Sequence, residues 1–298
     1  MTVPVWSLWR YRAVLPGGSS WEKVSLGEGL TPLVPIRPGL WGKLEYVSPT
    51  GSFKDRGAAV LMSVAAGIGV DRVVVDSSGN AGRAVAAYAA RAGIPAEVYV
   101  PESTPVWKVA AMEALGARVV AAGDRAAAAA GAQAAVAGNG AWYASHVYRP
   151  EFVHGVKTLA FELCEQLGGP PGTVVVPAGN GTLVIGLWLG FRALSAAVPR
   201  IVAVQAERCA PLAGLAPGGP TAASGIAIAA PPRQAEVRAA VLASGGSVVT
   251  VPEEALEPAR ADLARLGLPV EPTAAAAWAA LPALDAAPEP LVVVLTGR

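Results

Sequence analysis

Short β-branched runs alternate with helix-length segments along most of this 298-residue chain, and that alternation limits the fold more than any other feature. Arg72-Val73-Val74-Val75-Asp76 is a short apolar run of the kind found in a parallel strand covered on both faces. Leu40 to Val47, Ala96 to Val100, Arg118 to Ala122, Ala141 to Ala144, Thr173 to Val176, Ile201 to Gln205, Val248 to Val251 and Leu291 to Leu295 also read as strands. Helices are expected over Ala58 to Ala66, from the Ser77–Gly82 turn to about Ala92, and over Val106 to Leu115, Ala126 to Ala137, Phe152 to Leu167 and Leu183 to Leu194. Three more are expected over Gln234 to Ala243, Glu253 to Leu266 and Thr273 to Leu284. Such a string predicts an α/β architecture, with parallel sheets flanked by helices and joined by right-handed crossovers. It runs through two cycles, which predicts two lobes with a cleft between them. Met1 to Pro35, with Trp6, Trp9, Tyr11 and Trp21, is expected to be irregular and to wrap over the core. Cys209 to Pro232 is expected to be a long loop.

Composition removes several classes of function. Hydrophobic residues make up 53% of the chain and charged residues 15%, which is the balance of an apolar globular protein. A net charge of +1 gives no electrostatic case for nucleic acid or an anionic membrane. Leu167 to Phe191 carries no charge, but Gly168, Gly169, Pro170, Pro171, Pro177, Gly179 and Gly181 break it up, as a helix end, strand, loop and helix would require. The two histidines, His146 and His154, and the two cysteines, Cys164 and Cys209, form no metal-ligand pattern, so no metal site is expected. Cys164 lies in a helical pattern and reads as a buried free thiol. Met1 to Trp9 lacks the basic-then-apolar profile of a secretory leader, so a cytoplasmic protein is expected.

Three stretches carry candidate chemistry. Pro49-Thr50-Gly51-Ser52-Phe53-Lys54-Asp55-Arg56 delivers one lysine to the start of a buried helix. Lys54 becomes a nucleophile if burial or neighbouring charge favours its neutral amine; otherwise it is an ion-pairing lysine beside Asp55. Ser77-Ser78-Gly79-Asn80-Ala81-Gly82 and Ala178-Gly179-Asn180-Gly181-Thr182 each follow a strand and open a helix. In an open parallel sheet such turns lie at the carboxyl edge, where ligands bind. Free N–H groups at a helix start suit a carboxylate or phosphate, although either turn alone is as readily an ordinary connection. Neither matches a nucleotide fingerprint. A reactive lysine, a phosphate cradle and a carboxylate seat together fit pyridoxal 5′-phosphate and an amino-acid substrate.

At these residues the chain resembles threonine synthase, one of the pyridoxal-phosphate enzymes of fold type II, the tryptophan-synthase-β family. The matching segments are Gly29-Leu30-Thr31-Pro32-Leu33, Pro49 to Arg56, Ser78-Gly79-Asn80, Gly155 to Glu162, Pro177 to Gly181, Glu271-Pro272 and Leu295-Thr296-Gly297. The resemblance implies a two-lobed fold with the cofactor in the cleft, a large cofactor-binding domain of residues 1–50 and 145–298, a small mobile domain of residues 51–144, and a homodimer. It implies that Lys54 carries the cofactor as a Schiff base and removes the Cα proton. Asn80 would bond the cofactor's 3-oxygen, Gly179, Asn180, Gly181 and Thr182 its phosphate, Thr296 its ring nitrogen, and Phe53 would pack near its ring. Thr50, Ser77, Ser78, Gly79 and Ala81 would line the substrate side.

The chain departs from the family's pattern where the substrate phosphate is expected to bind. Ala81 replaces a hydroxyl, and His146, Val147 and Phe152 stand where an Asn-Ser pair and an Arg are expected. Arg149, Arg83 or Ser145 could substitute. The chain also reaches Arg298 directly after Gly297, where the pattern continues further. The implied activity is that of a lyase making threonine and phosphate from O-phosphohomoserine and water. The alternatives are a serine/threonine dehydratase or β-replacement paralogue, and a non-catalytic subunit that binds the cofactor.

Overall fold

The structure, a computed structural model, describes residues 5–17, 24–194, 197–284 and 286–298. The chain forms two compact units, one of residues 1–29, 48–50 and 54–155, the other of residues 30–47, 51–53 and 156–298. Residues 1–29 and 145–155 thus group with the first unit, whereas the resemblance assigned them to the other domain. Trp21 lies outside the described residues; of the other N-terminal aromatics Trp9 is buried and Trp6 exposed.

In the first unit four parallel strands run in the order β5-β4-β3-β6, with β3 at Val73–Val75, β4 at Ala96–Val100, β5 at Arg118–Ala121 and β6 at Trp142–Tyr143. Helix α1 (Lys54–Gly67) is buried almost throughout, as its uninterrupted apolar sequence requires. It packs against α2 (Asn80–Ala92) and, through Gly57, against α5 (Pro150–Val156). A Cβ at Gly57 would lie 2.2 Å from the Phe152 ring, so only glycine admits that contact. Helices α3 (Val106–Glu113) and α4 (Arg125–Asn139) complete the crossovers. The N-terminal segment forms a 3-10 helix at Leu8–Val14 and is tied down by Leu8 N–H to Glu28 O (2.8 Å) and Val24 N–H to Ser63 Oγ (2.9 Å).

The second unit holds six strands in the order β1-β2-β10-β7-β8-β9. These are β1 (Leu33–Arg37), β2 (Leu40–Leu44), β7 (Thr173–Pro177), β8 (Arg200–Ala206), β9 (Ser247–Val251) and β10 (Leu291–Leu295). Its core joins Val175, Val204 and Val293 to Leu263 and to Ala274–Ala277 of α10 (Pro272–Ala279), whose small side chains bring the helix close to the sheet. Helices α6 (Thr158–Leu167), α7 (Thr182–Ala193), α8 (Gln234–Ala243) and α9 (Leu256–Arg265) complete the unit.

Several expectations need correction. Residues up to Pro35 are not wholly irregular: Leu33–Arg37 is an edge strand, antiparallel to β2, so the sheets are not parallel throughout. Pro32 and Pro35 disguised it, because proline is tolerated at sheet edges but weakens a strand signal. The strand expected over Leu40 to Val47 ends at Leu44, and Glu45–Val47 is a 3-10 turn. The helix expected over Phe152 to Leu167 is two helices meeting at Lys157, where α7 comes so close that a Cβ at Gly190 would lie 2.4 Å from the Lys157 carbonyl oxygen. The helices expected at Glu253 and to Leu284 begin and end, respectively, as 3-10 turns. Cys164 is partly exposed rather than buried, and its thiol is pushed up to about 11 by partial burial.

Candidate functional site

The candidate residues fall into two sets, one in each unit. In the first unit Lys54 opens α1, and its Nζ lies 6.0 Å from the centroid of the Phe152 ring. Phe152 is fully buried, and the His146 ring meets it edge-on with centroids 6.0 Å apart. Burial, and secondarily the charge of Lys54, hold the His146 imidazolium well below its usual range, so this side of the lysine is lined by a phenyl ring and a neutral imidazole.

Strand β3 ends at Val75, and the chain turns through Ser77, Ser78 and Gly79 into α2 at Asn80. Gly79, at the N-cap, offers no side-chain acceptor to the first-turn amides, and a helix start of this kind suits an anion. Gly79 N–H points to Ser77 Oγ at 3.4 Å, and Ala81 is buried. Of the suggested substitutes, Arg149 is committed: its guanidinium stacks 3.9 Å over Trp142 and its Nε donates to Tyr143 O at 2.9 Å. Ser145 Oγ accepts from the amides of Val147 and Tyr148, each at 3.2 Å. Arg83, three residues after Asn80 on the same face of α2, has a buried Nε with no hydrogen-bond partner.

Thr50 is held by Asp55. Its N–H donates to Asp55 Oδ2 at 2.7 Å and its hydroxyl to Asp55 Oδ1. Asp55 is fully buried, and desolvation raises its carboxyl to about 7 against the opposing effect of those hydrogen bonds. A second buried carboxyl, Glu28, accepts from Tyr88 Oη (2.9 Å), Leu26 N–H (2.9 Å) and Ser25 Oγ (3.0 Å). Sequence reading did not single out Glu28 or Tyr88. Glu28 stands in a Gly-Glu-Gly stretch that reads as surface loop, and only tertiary packing encloses it.

In the second unit β7 ends at Pro177 and leads through Ala178–Gly181 into α7 at Thr182. Gly181 has φ +84°, and a Cβ there would fall 1.9 Å from Val237 Cγ2, so the turn requires glycine twice over. A Cβ at Gly179 would lie 2.9 Å from Gly225 O, which identifies Ser224–Ile226, inside the expected long loop, as the cover of this turn. Gln205 fixes the turn from below by donating Nε2 to Ala178 O at 3.1 Å. Asn180 is partly exposed and Thr182 is buried.

Thr296 follows β10 directly, and its hydroxyl is buried without a hydrogen-bond partner. A buried hydroxyl left unsatisfied by the protein is a place where a polar ligand atom fits. The adjoining backbone is fixed by Phe53 N–H to Thr296 O (3.0 Å), Arg298 N–H to Gly51 O (3.2 Å) and a bridge between Ser52 and Gly297. A cavity of about 480 Å³ in this unit, lined by Glu257, Arg260, Glu271 and Arg298 among others, contains none of the remaining candidates.

Among the described residues no helix is long and apolar enough to cross a membrane, and no group of three or more His, Cys, Asp or Glu side chains is placed to hold a metal ion.

A lysine at the head of a buried helix, anion-type turns after parallel strands and an unsatisfied hydroxyl past the last strand are features of the kind that pyridoxal-phosphate chemistry needs. The chain belongs to the pyridoxal-phosphate dependent enzyme family, whose sequence profile matches residues 24–297. It is similar to the threonine synthase of Methanosarcina acetivorans, 32% identical over 302 residues that cover 92% of this chain and 74% of that protein. It is also similar to the threonine synthase of Mycobacterium bovis, 33% identical over 91% of this chain and 80% of that one. Among solved structures it resembles the T.th. threonine deaminase, with a TM-score of 0.75 and 32% identity over 87% of this chain and 86% of that one. Maize serine racemase, at 24% identity and a TM-score of 0.80 over 90% of this chain and 87% of that one, shares the fold.

Proposed function

We propose that this enzyme is a threonine synthase, converting O-phosphohomoserine and water to threonine and phosphate. The observation that carries the reading is the likeness to threonine synthases at 32–33% identity over more than nine-tenths of the chain. The geometry is consistent with it. Pyridoxal phosphate, when bound, supplies an aldehyde for a lysine amine and a ring that accepts electrons from Cα. Lys54 would be the amine that holds it, with the Phe152 ring and His146 beside it; a nucleophile and general base needs the unprotonated form. The Gly179–Thr182 turn fits a phosphate, because no Cβ obstructs its glycine amides. Thr296 Oγ1 fits the ring nitrogen; a hydroxyl there, unlike a carboxylate, does not hold a proton on it. Asn80 would take the 3-oxygen, and Phe53 would pack near the ring.

On the substrate side, the amides after Gly79, with Ser77, Ser78 and Thr50, would hold the amino-acid carboxylate, and Ala81 would line the same turn. Lys54 would take the Cα proton and return it further along the substrate. Arg83 is the cation offered to the leaving phosphate, since Arg149 is engaged elsewhere. The enzyme would act in the cytoplasm as a homodimer.

The decisive assay is threonine release from O-phosphohomoserine by the pyridoxal-phosphate-loaded protein. Lys54→Ala abolishes it together with the absorbance band of the lysine-bound cofactor, and Arg83→Ala raises KM for O-phosphohomoserine. A second reading, a serine/threonine dehydratase, has specific support in the 32% identity to a threonine deaminase and in the uncharged wall beside Lys54. Keto acid from serine or threonine, with none of the phosphorylated substrate consumed, would establish that reading instead.

A further inference from the structure

Thr50 and Lys54 flank the turn that carries the reactive amine, and one side chain spans it. Asp55 sits in the first turn of α1 directly after Lys54, and both its oxygens go to Thr50, one to the amide and one to the hydroxyl. It is fully buried, so water does not compete for those hydrogen bonds. A hydrogen bond to an ionised group is worth more than a neutral one, and two on one residue fix position as well as distance.

We propose that Asp55 is a positioning residue: its carboxylate clamps Thr50 and thereby sets the turn that presents the Thr50 hydroxyl and the Lys54 amine to the substrate. The clamp is a charged lock set among other ionisable side chains. From the segment before β1, Glu28 brings a second carboxyl whose charge opposes ionisation of Asp55. From α2, Arg83 supports ionisation, and Tyr88 feels the charges of both carboxyls and of Arg56. Lys54 and Arg56 are the charged neighbours of Asp55 on its own helix. Helix α5 meets α1 through Phe152 and Gly155, which carry no charge. Ionised, Asp55 accepts from both Thr50 donors; protonated, it keeps one good acceptor. The ionised carboxylate is the stronger acceptor for Thr50, while burial opposes its ionisation.

The activity arm of this inference rests on the function proposed for Lys54; the structural arm does not. The structural arm is amide hydrogen exchange of Thr50 in the cofactor-free protein. The expected result is a Thr50 amide protected by ~10-fold or more, as a hydrogen bond to a carboxylate gives. Asp55→Ala removes the protection at every pH, while Asp55→Asn restores part of it, and exchange across β3 and α2 is unchanged. In the loaded enzyme Asp55→Ala lowers kcat ~10–100-fold, the equivalent of one or two such bonds, with less effect on KM, and Asp55→Asn restores part of it. Should Asp55→Ala fail to fold, Asp55→Asn decides. A Thr50 amide that exchanges freely in the wild type, or that is equally well protected in the wild type and the Asp55 variant, overturns the clamp. Loss of Thr50 protection in Asp55→Ala together with a normal cofactor absorbance in Lys54→Ala upholds the clamp and overturns only the role given to Lys54.

Discussion

The second unit contains a buried ion pair that gives a sharp stability prediction. Lys43 and Glu162 are 0% and 1% exposed and lie 2.9 Å apart. The Lys43 ammonium also donates to Thr31 O at 2.7 Å and Gln166 Oε1 at 2.8 Å, while Glu162 Oε1 accepts the Leu30 amide at 2.8 Å. Lys43→Met keeps the length of the stem and removes the charge. Glu162 then keeps the Leu30 hydrogen bond and loses the charge of Lys43, a defect that typically costs ~3–5 kcal/mol. The carboxyl has one escape, which is to take a proton, and that escape becomes easier as the solution turns acid. At ~2–4 °C per kcal/mol for a unit of this size, the melting temperature of the cofactor-free chain should fall by ~6–20 °C, and by less at pH 5. Lys43→Met/Glu162→Leu should recover much of the loss, because a buried pair replaced by apolar residues of similar volume is often close to neutral. Urea unfolding followed by circular dichroism on the four proteins of the cycle gives the coupling directly. A single variant within ~1 kcal/mol of wild type, or a double variant no more stable than Lys43→Met, would refute the reasoning, since a pair this enclosed should be expensive to break.

Three further outcomes follow from named atoms. Gly181→Ala meets both a left-handed backbone at φ +84° and Val237 Cγ2 at 1.9 Å, so it should lose ~2–4 kcal/mol and weaken pyridoxal-phosphate binding; adding Val237→Ala should recover only the steric part, as a cofactor titration would read. Thr296→Val should stabilise the cofactor-free protein by ~1 kcal/mol, because it removes a buried hydroxyl without a partner, yet perturb the absorbance of the bound cofactor; lower stability without cofactor would contradict the assignment. Asp55 is raised from 3.8 to about 7, so the folded state holds its proton more tightly than the unfolded one, and stability falls as pH rises from ~4 through ~7, by at most ~4 kcal/mol; urea unfolding should show a flatter pH dependence in Asp55→Asn.

The parts of the molecule that could be read from the sequence are those whose physics is local. β3, β7 and β10 are continuous apolar runs because both sheet faces are covered, and nothing beyond the run itself is needed to recognise them. The turns at Ser77–Gly79 and Ala178–Gly181 announce themselves through glycine next to a helix start. β1 did not, because Pro35 within it and Pro32 just before it carry the local signal of a loop, and only pairing with β2 makes it a strand. The break at Lys157 was hidden for the same reason: the segment has helical periodicity throughout, and α7 decides where it divides.

The candidate site shows the same division more sharply. Lys54 and Gly181 are conspicuous because a residue type there is demanded by chemistry or by φ, whatever surrounds it. Asp55 and Glu28 are ordinary acidic residues in sequence, one in the first turn of a helix, where a carboxylate is favoured anyway, and one between two glycines. Their significance arises from enclosure: a carboxyl with no exposed surface must be satisfied by donors, and the donors that satisfy Asp55 both belong to Thr50, on the other side of the lysine. A candidate reactive group can therefore be named from the chain alone, while the group proposed to aim it becomes visible only once burial has fixed its partners. For this enzyme the sequence points to Lys54, and the folded chain adds Asp55 as the residue through which the setting of that lysine can be tested.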